Sequence, residues 1–398
     1  MKDPVAHIDQ PSGARRWLRR SLWGLGVLGV AMVVLNVWVY GDFTPPLYEP
    51  KEPLPGVGSL SAQQCRACHA AIYEEWAQSG HARAFVDPLY QAELQHQPST
   101  FVCHRCHTPL VEQRPSLVYG LWAVWPRLIP VSWSNDRFDE SLQSEGVTCV
   151  ACHQVDGHMV GPFSDPQGAP HPTKVGELRA VTTCARCHQF GFERIGRLDR
   201  PIIDTMTEWE GYREQGGDKR CADCHLPIQG QQPLFEGGPS RPHTNHALLG
   251  PFNPQFVATG VVVEDLQLGL DPQTGATASV TIFNGTGHRL PSAEPQRYIR
   301  VHLSAQSADG TVLADDEVRF ERPVDVARLR ELGPDTTLAP RERKPVALAL
   351  PMVPADAARI EVAVDFHLWH ADDAVATDAG MSAAQLVHRI AVRTAEVP

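Results

Sequence analysis

The chain has 398 residues, 42% of them hydrophobic and 20% charged, with a net charge of −11. That is long enough for more than one domain and too apolar for a disordered polymer. The acidic balance argues against nucleic acid as a partner and suits docking with basic proteins.

Residues 1–20 form a basic segment containing Arg15, Arg16, Arg19 and Arg20. Residues 21–41 follow as an apolar run, Leu22 to Tyr40 being broken only by glycines and Asn36. About twenty such residues span a bilayer core, so this is a predicted transmembrane anchor. Beyond it stand Asp42, Glu49 and Glu52, with Lys51 alone on the positive side. The positive-inside rule keeps the amino terminus in the cytoplasm and exports the rest. A cleaved signal peptide is the alternative, but Val-Trp-Val-Tyr-Gly-Asp at the end of the run offers no small-x-small cleavage site. Residues 42–58 hold Pro45, Pro46, Pro50, Pro53 and Pro55. At about 3.1 Å per residue this stiff linker reaches roughly 40 Å and lets the exported part stand clear of the bilayer.

Residues 59–252 contain all ten cysteines, and none is left over once they are sorted. They fall into five copies of Cys-x-x-Cys-His: Cys65/Cys68/His69, Cys103/Cys106/His107, Cys149/Cys152/His153, Cys184/Cys187/His188 and Cys221/Cys224/His225. This is the c-type haem attachment spacing. Two thiols one helical turn apart add to the two vinyl groups on one porphyrin edge, and the following histidine binds the iron. Zinc sites also use Cys-x-x-Cys pairs but need no histidine after each pair. Disulfides closing pairs three residues apart would give five small, strained loops. The expectation is five haem c groups, which agrees with export, and therefore a single-pass protein of a bacterial inner membrane with its haems in the periplasm. Intervals of 38, 46, 35 and 37 residues between motifs are too short for one fold per haem. The haems themselves are expected to supply much of the core, among short helices and long loops. Gln63 to Gln78 reads as a helix over the first motif.

Each iron has a second axial position, and what fills it separates carrier from catalyst. Among 18 histidines the candidates are His81, His158, His171 and His246, with His243 competing with His246, and His288 as a fifth ligand from the last domain. His96 and His104 read as surface residues. Methionine is scarce here, Met159 and Met206 being the nearest, so mostly bis-histidine, low-potential haems are expected. Between the second and third motifs runs Leu117-Val118-Tyr119-Gly120-Leu121-Trp122-Ala123-Val124-Trp125, then Leu128, Ile129, Val131 and Trp133. Haem packing by flat rings is the preferred reading. The alternative is a loop at the bilayer surface, where quinol would be oxidised.

Residues 253–398 have no cysteine. Ile299, Val301 and Leu303 alternate with Arg300 and His302, and Ile360, Val362, Val364 and Phe366 alternate with Arg359, Glu361 and Asp365, the period of half-buried strands. Asp309-Gly310 marks a hairpin turn. Roughly seven strands are expected, forming an all-β sandwich that serves as scaffold or docking module. The fold class is thus a mainly α and irregular multihaem domain, then a β-sandwich, behind one transmembrane helix.

The run Ala62-Gln63-Gln64-Cys65-Arg66-Ala67-Cys68-His69, with Tyr73, Trp76, Ser79 and His81 after it, resembles the tetrahaem cytochromes c that accept electrons from hydroxylamine oxidoreductase. Cys106-His107-Thr108-Pro109, Glu145-Gly146-Val147-Thr148-Cys149, Thr207-Glu208-Trp209 and Cys221-Ala222-Asp223-Cys224-His225-Leu226-Pro227 extend the likeness over about residues 60 to 250. Gly287-His288-Arg289-Leu290-Pro291 is similar to a segment of larger multihaem proteins with such an appendage. The chain departs from the tetrahaem pattern by a fifth motif, the anchor and the β domain. The resemblance implies electron transfer with redox proteins as donor and acceptor. It leaves two alternatives open: an oxidoreductase acting on a small nitrogen or sulfur compound at one open iron, and a quinol-oxidising or docking subunit of a larger membrane complex. The pentahaem nitrite reductases carry a Cys-x-x-Cys-Lys motif, which is missing here, and the eight-haem hydroxylamine oxidoreductases need three more motifs.

Overall fold

A computed structural model describes residues 12–40, 51–97, 100–124, 127–163, 169–191, 198–271 and 273–397. Helix α1, Ser12–Tyr40, has no packed face along Trp17–Leu35, where its side chains lie exposed. At about 1.5 Å per residue it is long enough, and apolar enough, to cross a bilayer. Residues 41–50 of the expected linker, and the first eleven of the chain, lie outside the described residues.

The remainder of the expected linker is part of the fold. Lys51 is buried and its ammonium donates to the carbonyl of Gln154, whose own side-chain amide donates back to the carbonyl of Glu52 at 2.8 Å. Leu54 is buried, and Arg137 pairs with Glu52 at 2.9 Å. Residues from Lys51 onward therefore belong to the fold and not to a spacer.

The motif region consists of short helices. The first motif lies across α2, Ala62–Arg66, and α3, Ala70–Ala77, and the expected continuous helix is broken between them. The reason lies in His69, whose backbone (φ −105°, ψ 46°) leaves the helical region and turns its ring toward the carbonyl of Leu234. Helix α4, Pro88–His96, is started by the Asp87 carboxylate accepting from Leu89 and Tyr90 amides. Apolar packing is thin throughout this region: one cluster holds Phe101, Val102, Val111, Val118 and Ile202, another Leu60, Leu110, Leu142 and Val150. About two hundred residues with so little core need another apolar body inside. Strands β1, Ser116–Val124, and β2, Arg127–Ser134, form a separate two-stranded antiparallel hairpin.

After residue 260 the chain becomes a sandwich of seven strands. Its three-stranded sheet has the order β3 (Val261–Asp271), β4 (Gly275–Asn284), β7 (Arg343–Leu350). The four-stranded sheet runs β6 (Val312–Phe320), β5 (Tyr298–Gln306), β8 (Arg359–His367), β9 (Val387–Glu396). Ile299, Val301, Leu303, Ile360, Val362 and Val364 meet Ala278, Val280, Ile282, Val346 and Leu348 in the shared core. Gly310, at φ +88°, makes the turn between β5 and β6. The alternation fails on the other face of β5 and β8: His302 and Asp365 are buried, paired at 3.1 Å, and Arg389 closes on the same carboxylate.

The two regions are locked together. Leu89 and Ala92 of α4 lie in the sandwich core, and His96 Nε2 is 2.7 Å from Asp378. Arg200 pairs with Glu208 at 2.7 Å and Asp335 at 2.9 Å, while Glu208 also accepts from the Arg289 amide and the Ser292 hydroxyl. Arg322 donates to the carbonyls of Arg200 and Pro201.

Removing the buried Glu208 carboxylate strips partners from Arg200, Arg289 and Ser292 at once. Glu208→Ala should destabilise the protein by about 3–5 kcal/mol, whereas a well-screened surface pair such as Arg66–Glu74 should cost under about 1 kcal/mol. Thermal unfolding of the two variants checks this, and equal losses would show that the clamp contributes nothing special. His367, stacked on Tyr298 with ring centroids 4.1 Å apart, has both ring nitrogens buried without partners. Burial lowers its pKa to about 4, against the raising effect of Asp365. Its folded pKa lies below the unfolded value, so its contribution is intact above about pH 6.5 and is lost as pH falls toward 4. His367→Phe should flatten stability over that window, read from denaturant midpoints at successive pH values.

Candidate haem-binding site

Every Cys-x-x-Cys-His motif lies on a helical turn. The His69 amide donates to the Cys65 carbonyl at 2.8 Å and the His107 amide to Cys103 at 3.2 Å; Cys149–His153, Val181–His188 and Cys221–His225 are helices in their own right. This puts both thiols and the histidine of each motif on one side of a turn. All ten cysteines are unpaired thiols.

The motifs converge. The Cys65 and Cys149 thiols lie close enough to perturb each other's ionisation, as do those of Cys184 and Cys221, and of Cys106 and Cys187, where the Cys106 Sγ is 3.8 Å from the Cys187 carbonyl. Cys152 lies within electrostatic reach of Cys187. First and third, second and fourth, fourth and fifth, and third and fourth motifs are thus neighbours.

Four motif histidines donate Nδ1–H to a backbone carbonyl: His69 to Leu234 at 2.8 Å, His107 to Ala84, His153 to Val160 at 2.9 Å and His225 to Leu249 at 2.6 Å. A carbonyl can only accept, so each ring carries its proton on Nδ1 and has the Nε2 lone pair free, the usual way a protein orients a ligating imidazole. Burial lowers the pKa of His107, His153 and His225, and takes His188 down to about 3. Burial thus favours the neutral ring, the form that ligation requires.

Three of these rings face a second imidazole. His188 and His81 have centroids 6.3 Å apart, His153 and His246 6.1 Å, His225 and His288 6.4 Å. These separations are too long for stacking contact. Two metal–nitrogen bonds of about 2 Å plus the two ring radii come to roughly 6.3 Å, so the spacing of each pair would admit an iron held between the two rings. His246 and His288 also donate Nδ1–H to carbonyls, of Thr244 and Arg289, each at 2.7 Å. Burial lowers His81 and His246 to about 4.

The remaining candidates separate clearly. His171 is lowered by burial and then by the charge of nearby His69, and its Nδ1 is buried without a partner. His243 has both nitrogens engaged, Nδ1 by the Gln232 amide and Nε2 by Glu75 at 2.7 Å. Glu75 also accepts from the His246 amide at 2.8 Å, so one carboxylate occupies His243 and presents His246. His158, expected as a distal ligand, is brought to no motif histidine. The turn at Asp156 and Gly157 (φ 48° and 73°) folds it back beside Val155, and its Nδ1–H donates to the Asp156 carbonyl at 2.8 Å. Expected surface residue His104 is partly buried, with Nδ1 2.9 Å from the Tyr90 hydroxyl.

The second motif differs from the others. The Tyr90 ring stacks on His107 with centroids 3.8 Å apart and planes within 5°. Among the described residues no imidazole faces His107 as His81 faces His188. Sequence reasoning passes over both Tyr90 and Glu75. Neither carries a local signal: Tyr90 sits in an amphipathic helix, and Glu75 reads as a solvated helix charge.

A family model described as cytochrome c554 and c-prime matches residues 64–119, which cover the first two motifs. The fold is similar to the crystal structure of a penta-heme cytochrome c552 from Thermochromatium tepidum. That likeness has a TM-score of 0.60 at 20% identity and covers 87% of this chain and 100% of that one. No curated protein matches the chain.

Proposed function

We propose that this chain, a multihaem c-type cytochrome, carries five haems and passes electrons among them on the periplasmic side of a bacterial inner membrane, held there by α1. The convergence of the attachment thiols carries this reading: a haem on each motif would have another as its neighbour, and none would be isolated. The five haems of the Thermochromatium tepidum protein, matched over its whole length, support the same count.

Bound haem iron supplies a one-electron ferric–ferrous couple, its potential set by axial ligands and surroundings. The protein's residues do the rest. Each cysteine pair fixes one edge of its group. The Nδ1–carbonyl bonds hold four proximal rings in one tautomer and one orientation. In this reading His81 is the distal ligand opposite His188, His246 opposite His153, His288 opposite His225, and His171 serves the first motif beside His69. Irons closed on both faces favour carriage over catalysis, since a substrate would first have to displace a ligand. The net charge of −11 suits basic redox proteins as donor and acceptor.

A second reading, an oxidoreductase acting on a small nitrogen or sulfur compound, is favoured by one observation. His107 has Tyr90 against its ring and no facing imidazole among the described residues. Among the described residues the second haem is therefore a place where an iron would stay open.

Mass spectrometry and a pyridine haemochrome assay should count five haems per chain. His81→Ala, His246→Ala and His288→Ala should each add one high-spin haem to the resting spectrum, and His243→Ala and His158→Ala none. Four or fewer haems in mature protein would refute the count. Turnover of nitrite or hydroxylamine at a high-spin haem of the unaltered protein would replace the carrier with the enzyme.

A further inference from the structure

The hairpin β1–β2 is a two-stranded sheet whose register sets Leu117 opposite Trp133, Leu121 opposite Pro130, Trp122 opposite Ile129 and Ala123 opposite Leu128. Arg127 is the only charged residue from Ser116 to Ser134, in a chain that is 20% charged. Its base belongs to the haem domain, where Val118 is buried with Phe101, Val102, Val111 and Ile202. Packing of that kind accounts for Val118 but not for Trp133, which is 62% exposed, or for exposed Val131. The β1 backbone also runs close beside the anchor helix α1.

Two solvents suit such a ribbon badly. In water, an isolated two-stranded hairpin is marginal at best and here would expose apolar faces. In hydrocarbon, the two edges of a two-stranded sheet, which have no further strand beside them, would lack water to satisfy their N–H and C=O groups. The membrane–water interface meets both demands, hydrating the edges and accepting the apolar faces, and it is where tryptophan and tyrosine collect. We infer that β1–β2 lies in the outer lipid interface against α1, the headgroup–acyl boundary being its occupant, and that it holds the haem domain at a fixed height on the bilayer. The inference rests on the proposed membrane span of α1. With one charge in nineteen residues the attraction is apolar, so salt should not weaken it.

The test uses the full chain in phosphatidylcholine vesicles containing a lipid with a photoreactive group near its headgroup, with adducts mapped by mass spectrometry. Adducts are expected both on Trp17–Leu35 and on Ser116–Ser134, unchanged by high salt. Trp133→Ser combined with Val131→Ser should lose the hairpin adducts and keep those on α1. Trp133→Phe, which stays apolar, should keep both, and unchanged haem absorption shows that each variant is folded. Adducts on α1 alone would overturn the ribbon's placement and leave the anchor standing. Their absence from α1 would overturn the anchor itself. Hairpin cross-links to a second copy of the chain in place of lipid would also overturn the inference.

Discussion

Residues 51–252 do not hold enough apolar side chain to fold around themselves, and most of the architecture follows from that shortage. The two clusters in this region contain five and four buried residues, while the sandwich has a continuous core running through seven strands. Haem attached as proposed would bring in further apolar mass and make it part of the chain. It would also explain why so much irregular backbone is ordered. The Leu234, Ala84, Val160 and Leu249 carbonyls each reach back from a loop or strand to a motif histidine. Each such bond fixes a ring and pins a stretch of backbone in the same step. Loops rich in glycine and proline are thereby part of the ligand geometry.

The attachment sites are legible in the sequence because covalent chemistry demands three residue types at fixed local spacing. Distal ligands obey no local rule. His81 and His188 face each other across more than a hundred residues, and nothing in either neighbourhood names the other. The choice between His243 and His246 turns on Glu75, far away in the chain, which binds one ring nitrogen and presents the other residue's backbone. His158 is held by a two-residue turn beside Val155, and among the described residues no ring contact pairs it with a motif histidine. Seven strands can be read from period-two alternation, but alternation alone leaves open whether His302 lies at the surface or in the core, and the buried pair with Asp365 settles it. A proline-rich composition likewise suggests a linker through residue 58, although Lys51 and Leu54 are already inside the fold.

The β-sandwich is more than an appendage. It takes Leu89 and Ala92 of α4 into its core, and α4 also carries Tyr90, the ring that stacks on His107. On the other side, the Glu208–Arg200–Asp335 clamp lies next to the Arg289 amide, one residue from His288. Two of the motif histidines, the second and the fifth, therefore have surroundings set by the sandwich.

This division has a consequence for the path of electrons. The fourth motif touches the second, third and fifth through its thiols, and its histidine faces His81 from the segment after the first. It is the junction of the set. The first and third motifs form one arm from it, and the second and fifth, both shaped by the sandwich, form two others. In the carrier proposed above, three arms from one junction would let electrons enter at one surface and leave at another, with the third arm as a terminus. That terminus is the second motif if its iron stays open. Carrier and catalyst then differ only in what lies opposite His107, where Tyr90 holds the ring from one side.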